Sequence, residues 1–472
     1  MSSDARKDQR EHAMSTDASL FPDLPVDDAL PRAAEPKPAG GPPRLRYTQR
    51  HQCEMRWESL DQLLTPDHQV RLVWAYVERL DLSALLRQVQ AVAGQPGRNA
   101  NDPRILVALW LYATIDGVGS ARELDRLSEE HIAYRWLCGS VSMNYHTLAD
   151  FRTEHVDVLR QLLIDGVATM RHQGLVEVQR VAQDGMKVRA SAGAGSFHRQ
   201  PTLERCLDEA RAQVAALEKQ VRDDPTAVSR RQQAARERAA RERQERLEQA
   251  LAEREKLVEL REQQKRDKGV KFDADEQRVS TTDPEARRMK MPDGGTRPAY
   301  NVQFATTTDS GVIVGVDVTN SGGDGGQMAP MVEQIAQDHG RPPAEMLVDG
   351  GFTTLDDIET VHANHGVRVY GPIKDEEKKK AAGVDPFQPR PKDGPGVAAW
   401  RVRMGAAENQ EVYRLRAQTA EWANAGTRNR GLYQFVVRGL RKVLAVVFWH
   451  ALAHNLLRSY ALQRAQAARN RA

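Results

Sequence analysis

Three carboxylates of this chain stand where chemistry would need them. Asp184 closes the stretch LVEVQRVAQD, whose alternation of apolar and polar residues is that of a half-buried strand. Asp349 closes a short apolar run, AEMLVDGG, and Glu421 lies in the helical stretch YRLRAQTAEWANAGTRNRG. Glu421 is also the one acid between Tyr413 and Ala472, against eleven lysines and arginines. A buried carboxylate is costly unless it is paired or bound to metal. Two acids at strand ends of one sheet can face a common point. With a third from a helix they would offer the hard oxygen ligands by which two Mg²⁺ ions, roughly 4 Å apart, promote phosphoryl transfer.

Each of these residues also has a structural reading. Asp184-Gly185 and Asp349-Gly350 suit turns, Asp349 could cap a helix starting near Thr354, and Glu421 could pair with Arg414 or Arg428 along its helix. The chemical reading rests on their order within the succession of strands. Glu408 and Glu411 compete with Glu421 for the third place, but they fall in GAAENQEV, read here as a strand or loop edge, whereas a helix can run unbroken from Tyr413.

Other constellations are weaker. His450 and His454 have a zinc-like spacing but lie in an apolar run with no third ligand, which gives them a structural role. NSGGDGGQ lacks the Gly-Lys-Ser/Thr ending of a phosphate loop, so Asp324 reads as a residue near a helix cap. No Gly-x-Ser-x-Gly elbow occurs.

At 472 residues the chain calls for two or three domains. Residues 1–45 are rich in proline and poor in apolar residues and are expected to form a disordered tail. Residues 46–172 read as an all-α domain that could contain a helix-turn-helix: Asp102 and Pro103 open one helix, and Ser120 and Thr147 are expected caps of others. Residues 173–472 read as an α/β domain. Inside it, Leu203, Leu207, Ala210, Val214, Leu217 and Val221 step by four and three as a coiled-coil seam, followed by a break at Asp224-Pro225 and a charged helix to about Lys268. An antiparallel helical hairpin over about 200–268 follows. Beyond it, PAYNVQFATTTDSGVIVGVDVTN predicts a β-hairpin, then a helix and a crossover strand complete a mixed sheet.

Net charge is only +3, but the basic C-terminal segment asks for a polyanion. Three widely spaced cysteines fit a reduced, cytoplasmic protein. The longest apolar run, VLAVVFWHALA, is about half of what a membrane span requires and reads as a buried helix.

The order of VAQDGMKVRASAG, TTDPEARRMK, AYNVQF, LVDGGFTT and YRLRAQTAEWANAG, with YQFVVRGLRKV and ALAHNLLR after it, resembles bacterial insertion-sequence transposases of the DDE class. The segment from Asn101 to Arg152 resembles the helical domain preceding their core. The resemblance implies an RNase H-like mixed-sheet catalytic core with the helical hairpin inserted, preceded by the all-α domain. It implies Asp184, Asp349 and Glu421 as catalytic acids and ligands of two Mg²⁺ ions, with Mn²⁺ able to substitute. Tyr413, Arg416, Glu421 and Arg428 resemble the family's Tyr, Arg, Glu, Lys signature, with one extra residue before Glu421 and Arg428 in place of the usual Lys. Tyr413, Arg416, Arg428 and Arg438 are the expected DNA contacts. The implied activity is cleavage of the element's terminal inverted repeats and their joining to target DNA, by a homodimer or larger synaptic assembly at the bacterial nucleoid. A metal-dependent nuclease with the same core, or an inactive DNA-binding relative, are the alternatives.

Overall fold

The computed structural model describes residues 51, 55, 57–91, 99–223, 230–269 and 271–471. The expected tail and the Asp224-Pro225 break lie outside these residues. The chain divides at Trp57, and the unit Glu58–Ala472 holds every element below.

Helices come first: α1 Gln69–Val77, α2 Ser83–Leu86, α3 Pro103–Ile115, α4 Ala121–Glu130, α5 Ile132–Cys138, α6 Tyr145–Glu154 and α7 Val156–His172. Asp102 starts α3 by accepting the Arg104 N–H, with Pro103 at the position where a missing N–H costs nothing. Ser120 caps α4. Thr147 caps nothing; α6 opens two residues earlier, because Asn144 accepts the His146 N–H at 2.8 Å.

The sheet is built from β1 Arg180–Arg189, β4 Arg287–Lys290, β5 Thr296–Thr307, β6 Ile313–Thr319, β7 Glu345–Leu347 and β8 Arg368–Tyr370, while β2 Phe197–His198 and β3 Val279–Ser280 form a separate ribbon. Its order is β4-β5-β1-β7-β8, with β6 also on β5. β1 runs antiparallel to β5 and parallel to β7, and β7 runs parallel to β8. This is a mixed α/β architecture with an RNase H-like core. β1 begins later and ends later than the alternation at Leu175 suggests: β5 pairs it from Val181 to Arg189, so Asp184 and Gly185 sit in mid-strand.

Helices α10 Met328–His339, α11 Leu355–His365, α12 Glu376–Ala381, α13 Pro395–Gly405, α14 Ala407–Asn429 and α15 Leu440–Arg469 complete the described chain, after the pair α8 Gln200–Asp223 and α9 Arg230–Lys268. In that pair Leu203, Leu207 and Ala210 are buried with Leu247 and Ala250. An ion pair of 2.7 Å between Arg287 on β4 and Glu253 on α9 anchors it to the sheet. The run from Val443 to Leu456 is the buried part of α15 and packs with α3 and the β1–β5 face in one core. Trp449 Nε1 donates to Arg152 O at 3.0 Å and Trp110 Nε1 to Leu148 O at 2.9 Å, so the two largest rings of that core also satisfy their polar ends. Among the described residues, no helix is long and apolar enough to cross a membrane.

Candidate active site

Asp184 and Asp349 come together because β1 and β7 are parallel neighbours, which brings the residues beyond their paired positions to the same end of the sheet. α14 lies across that end. Arg416 Nη2 donates to Asp184 Oδ1 at 2.8 Å and stands 3.5 Å from Asp349 Oδ2. Two turns further along α14, Asn424 Nδ2 donates to the other oxygen of Asp184, at 2.8 Å. Burial pushes the Asp184 carboxyl above its ordinary value; Arg416 opposes this, and the charges of Asp349 and Asp324 add to it. Tyr413, half-buried one turn before Arg416, has its phenol raised by burial, with Arg416 opposing and the same two acids, Asp349 and Asp184, contributing.

Asp349 is held by the local turn as well. Its Oδ1 accepts the Gly351 N–H at 2.7 Å, and the cap of α11 is Thr354, five residues on. The turn and the approach to Arg416 coexist, since one uses Oδ1 and the other Oδ2.

Glu421 is on α14 with Arg416 and Asn424 but on its exposed side, and no hydrogen bond or ion pair engages it among the described residues. It is three residues from Asn424, hence one turn away along the helix surface. Arg414 pairs with Glu411, at 2.5 Å, and not with Glu421. Glu408 and Glu411 are not in a strand or loop edge: α14 starts at Ala407, and its alanine, glutamate and glutamine residues favour helix. Arg428 is exposed on the same helix and Arg438 precedes α15; neither touches Asp184 or Asp349.

Asp324 lies near a helix cap, as expected, three residues before Gln327, the N-cap of α10; what the sequence did not show is its side chain, which accepts Asn301 Nδ2 at 2.7 Å and Gln303 Nε2 at 3.0 Å. The available signal was in β5, where Asn301 and Gln303 put two buried amides at alternate positions among Tyr300, Val302 and Phe304.

Whether these residues suit a divalent cation can be judged from their own chemistry. Asp184, Asp349 and Asp324 offer hard oxygens, and against them stands the one guanidinium of Arg416, which leaves a formal excess of two negative charges. Gln183 Oε1, Asn301 Oδ1, Asn424 Oδ1 and Arg416 Nε are buried without partners. Buried polar atoms of this kind cost about 1–3 kcal/mol each and persist where a ligand completes them. The donor set fits. Among the described residues no three His, Cys, Asp or Glu side chains are already placed at metal-ligand spacing, and Arg416 reaches both Asp184 and Asp349. His450 and His454 play no part: burial, helped by Arg152 and Arg430, pushes His450 down to about 3. Burial also takes His454 to about 4 despite its hydrogen bond to Gly311 O. Both are neutral members of the α15 core.

Fold and acids together define an RNase H-like α/β protein with carboxylates gathered just beyond the paired stretch of β1 and β7. Residues 58–154 match a transposase domain family (DUF772), and residues 264–456 match the transposase DDE domain family. The chain belongs to the DDE transposases of insertion sequences. The DDE match contains Asp324, Asp349 and Glu421, while Asp184 precedes it. No curated protein and no solved structure matches the chain.

Proposed function

We propose that the protein cuts DNA at the terminal inverted repeats of a mobile element and joins the freed ends to target DNA, with Asp184, Asp349 and Glu421 as the ligands of two Mg²⁺ ions. The observation that carries this reading is the shared guanidinium: two acids from separate strands compete for Arg416, so they already behave as one electrostatic unit. When bound, divalent cations activate the attacking hydroxyl and stabilise the leaving oxygen of an in-line displacement.

The protein's own groups do the rest. Asn424 fixes the rotation of the Asp184 carboxylate. Arg416, released from the acids as their charge is neutralised, is free to hold a phosphate oxygen, bidentately if both its terminal nitrogens engage. Tyr413 stays protonated, since its phenol is raised, and can donate to phosphate. Glu421 is one turn from Asn424 on α14 and would turn from solvent toward the acids when it joins them. Water is the first nucleophile and the 3′-hydroxyl of the freed end the second. Arg428 and Arg438 supply phosphate contacts outside the centre.

The test is cleavage and strand transfer on DNA carrying the element's ends. Glu421→Gln is expected to abolish both while end binding stays nearly intact, with Glu408→Gln and Glu411→Gln active. Cleavage that survives excess chelator, or a wild-type rate in Glu421→Gln, overturns the assignment; cleavage without joining leaves a nuclease.

A further inference from the structure

The loop before α10 carries a carboxylate that the three-acid scheme does not use. We propose that Asp324 is a fourth carboxylate of the centre, sharing a divalent cation with Asp349; this rests on the function proposed above.

Asp324 is reached through two glycines. β1 alternates, so Asp184 faces α14, whereas Gly185 faces the opposite side of the sheet, where it pairs with Gln303. A Cβ on Gly185 would overlap Asp324 Oδ1 and stand 2.7 Å from Gln303 Nε2 and 2.9 Å from Asn301 Oδ1. Glycine weakens a strand interior, and here its use is close approach: it lets the Asp324 carboxylate lie against the backbone next to Asp184. The second glycine is Gly351. A Cβ there would be 3.0 Å from Asp349 Oδ1 and 3.4 Å from Asp324 Oδ2, so these two oxygens flank one point in space. Asp349 thus divides its carboxylate, Oδ2 toward Arg416 and Oδ1 on the Gly351 N–H, the glycine against which Asp324 Oδ2 also lies.

The geometry is held from several directions. Oδ1 of Asp324 takes both amides of β5, leaving Oδ2 for a ligand. Asp357, buried at the start of α11, accepts the Gly326 N–H at 2.7 Å, and Gln183 Nε2 donates to Gln327 O at 3.0 Å, which fastens the loop to α11 and to β1. With Gly322, Gly323, Gly325 and Gly326 around it, the loop would otherwise leave Asp324 free to turn to water; these bonds prevent it. A separate observation points to a ligand. Asn301 is fully buried and its amide orientation is fixed by donation to Asp324, yet its Oδ1, aimed into the gap at Gly185, has no partner.

The experiment is Mn²⁺ uptake by the full-length protein without DNA, read from the loss of the free-ion paramagnetic resonance signal, with the melting temperature followed in parallel. Asp324→Asn keeps the shape and removes the charge; its Mn²⁺ dissociation constant is expected to rise about 10–100-fold. Gly185→Ala, which pushes the carboxylate away, should weaken uptake in the same direction. If Asp324→Asn melts early, Asp324→Ser removes the carboxylate without asking for new amide geometry. Wild-type affinity in a folded Asp324 variant, with uptake lost in Asp184→Asn and Asp349→Asn, overturns this inference and leaves the proposed function standing. Wild-type affinity in all three variants, or no uptake by the wild type, overturns both.

Discussion

The two ends of strands β1 and β7 hold opposite charge arrangements. At their start, Glu345 is clamped by Arg180, by Arg368 at 2.7 Å and by the Tyr370 hydroxyl at 3.1 Å. At their far end, Asp184 and Asp349 share Arg416, and the charge of Asp324 lies close enough to act on Asp184. Burial would raise the Glu345 carboxyl, but its two arginines and the tyrosine hold it below its ordinary value. Burial raises Asp184 and its single arginine fails to reverse this. The first end is balanced and closed, and it serves the fold. The second lacks positive charge and keeps unpaired oxygens, which costs stability and leaves room for a cation. A difference of this kind, within the length of one strand, separates a structural ion cluster from a reactive one.

The largest expected effect comes from neutralising the two ends in turn. Asp184→Asn or Asp349→Asn should lower DNA cleavage by at least about a thousand-fold, the ~4 kcal/mol that losing a ligand costs. In chelator these variants should melt no earlier than the wild type, because a like-charge repulsion is relieved. Glu345→Gln should do the reverse, costing about 1–2 kcal/mol of stability and leaving cleavage within a few-fold of normal. Melting curves and cleavage rates on the same preparations check both. Equal losses of stability at the two ends would erase the distinction.

Part of this was legible in the sequence. The β5–β6 hairpin follows from alternating residues around Asp309-Ser310-Gly311, where Gly311 takes a left-handed φ of 65°. The start of α3 follows from Asp102-Pro103. The start of β1 did not, because Val176 and Val178 alternate and are buried against the same core as β7 while forming no part of the strand: alternation reports burial, not hydrogen bonding. The meeting of Asp184 with Arg416 and Asn424 is a contact across more than two hundred residues, which local patterns do not encode. The position of Asp324 near a helix cap was legible, but its place beside the acids was not, because its amide partners lie on a strand more than twenty residues earlier.

A middle-sized effect concerns how DNA approaches the acidic end. Three carboxylates repel phosphate, so cations outside the centre must hold the duplex; Arg428 and Arg438 are exposed and touch none of the acids. Replacing both by Ala should reduce the slope of log affinity against log salt by about 2, since each lost phosphate contact removes about 0.9. Binding isotherms for end-bearing DNA from low to physiological salt measure it. An unchanged slope would place the phosphate contacts elsewhere.

The smallest effect is the pH signature of the balanced end. Glu345 has its folded value lowered from 4.5, so its contribution to stability is complete above 4.5 and is lost as pH falls through the lower folded value. The gap in melting temperature between wild type and Glu345→Gln should therefore be constant from pH 7 down to about 5, then narrow at more acid pH as the glutamate of the wild type is protonated. The direction follows from the unfolded chain binding the proton more tightly than the folded one. A gap that never narrows on the acid side of 4.5 would mean that Glu345 works through hydrogen bonding that its protonated form keeps, above all with Tyr370, rather than through charge. The two ends of the strands would then differ in packing more than in electrostatics, and the deficit of positive charge at Asp184 would lose its internal control.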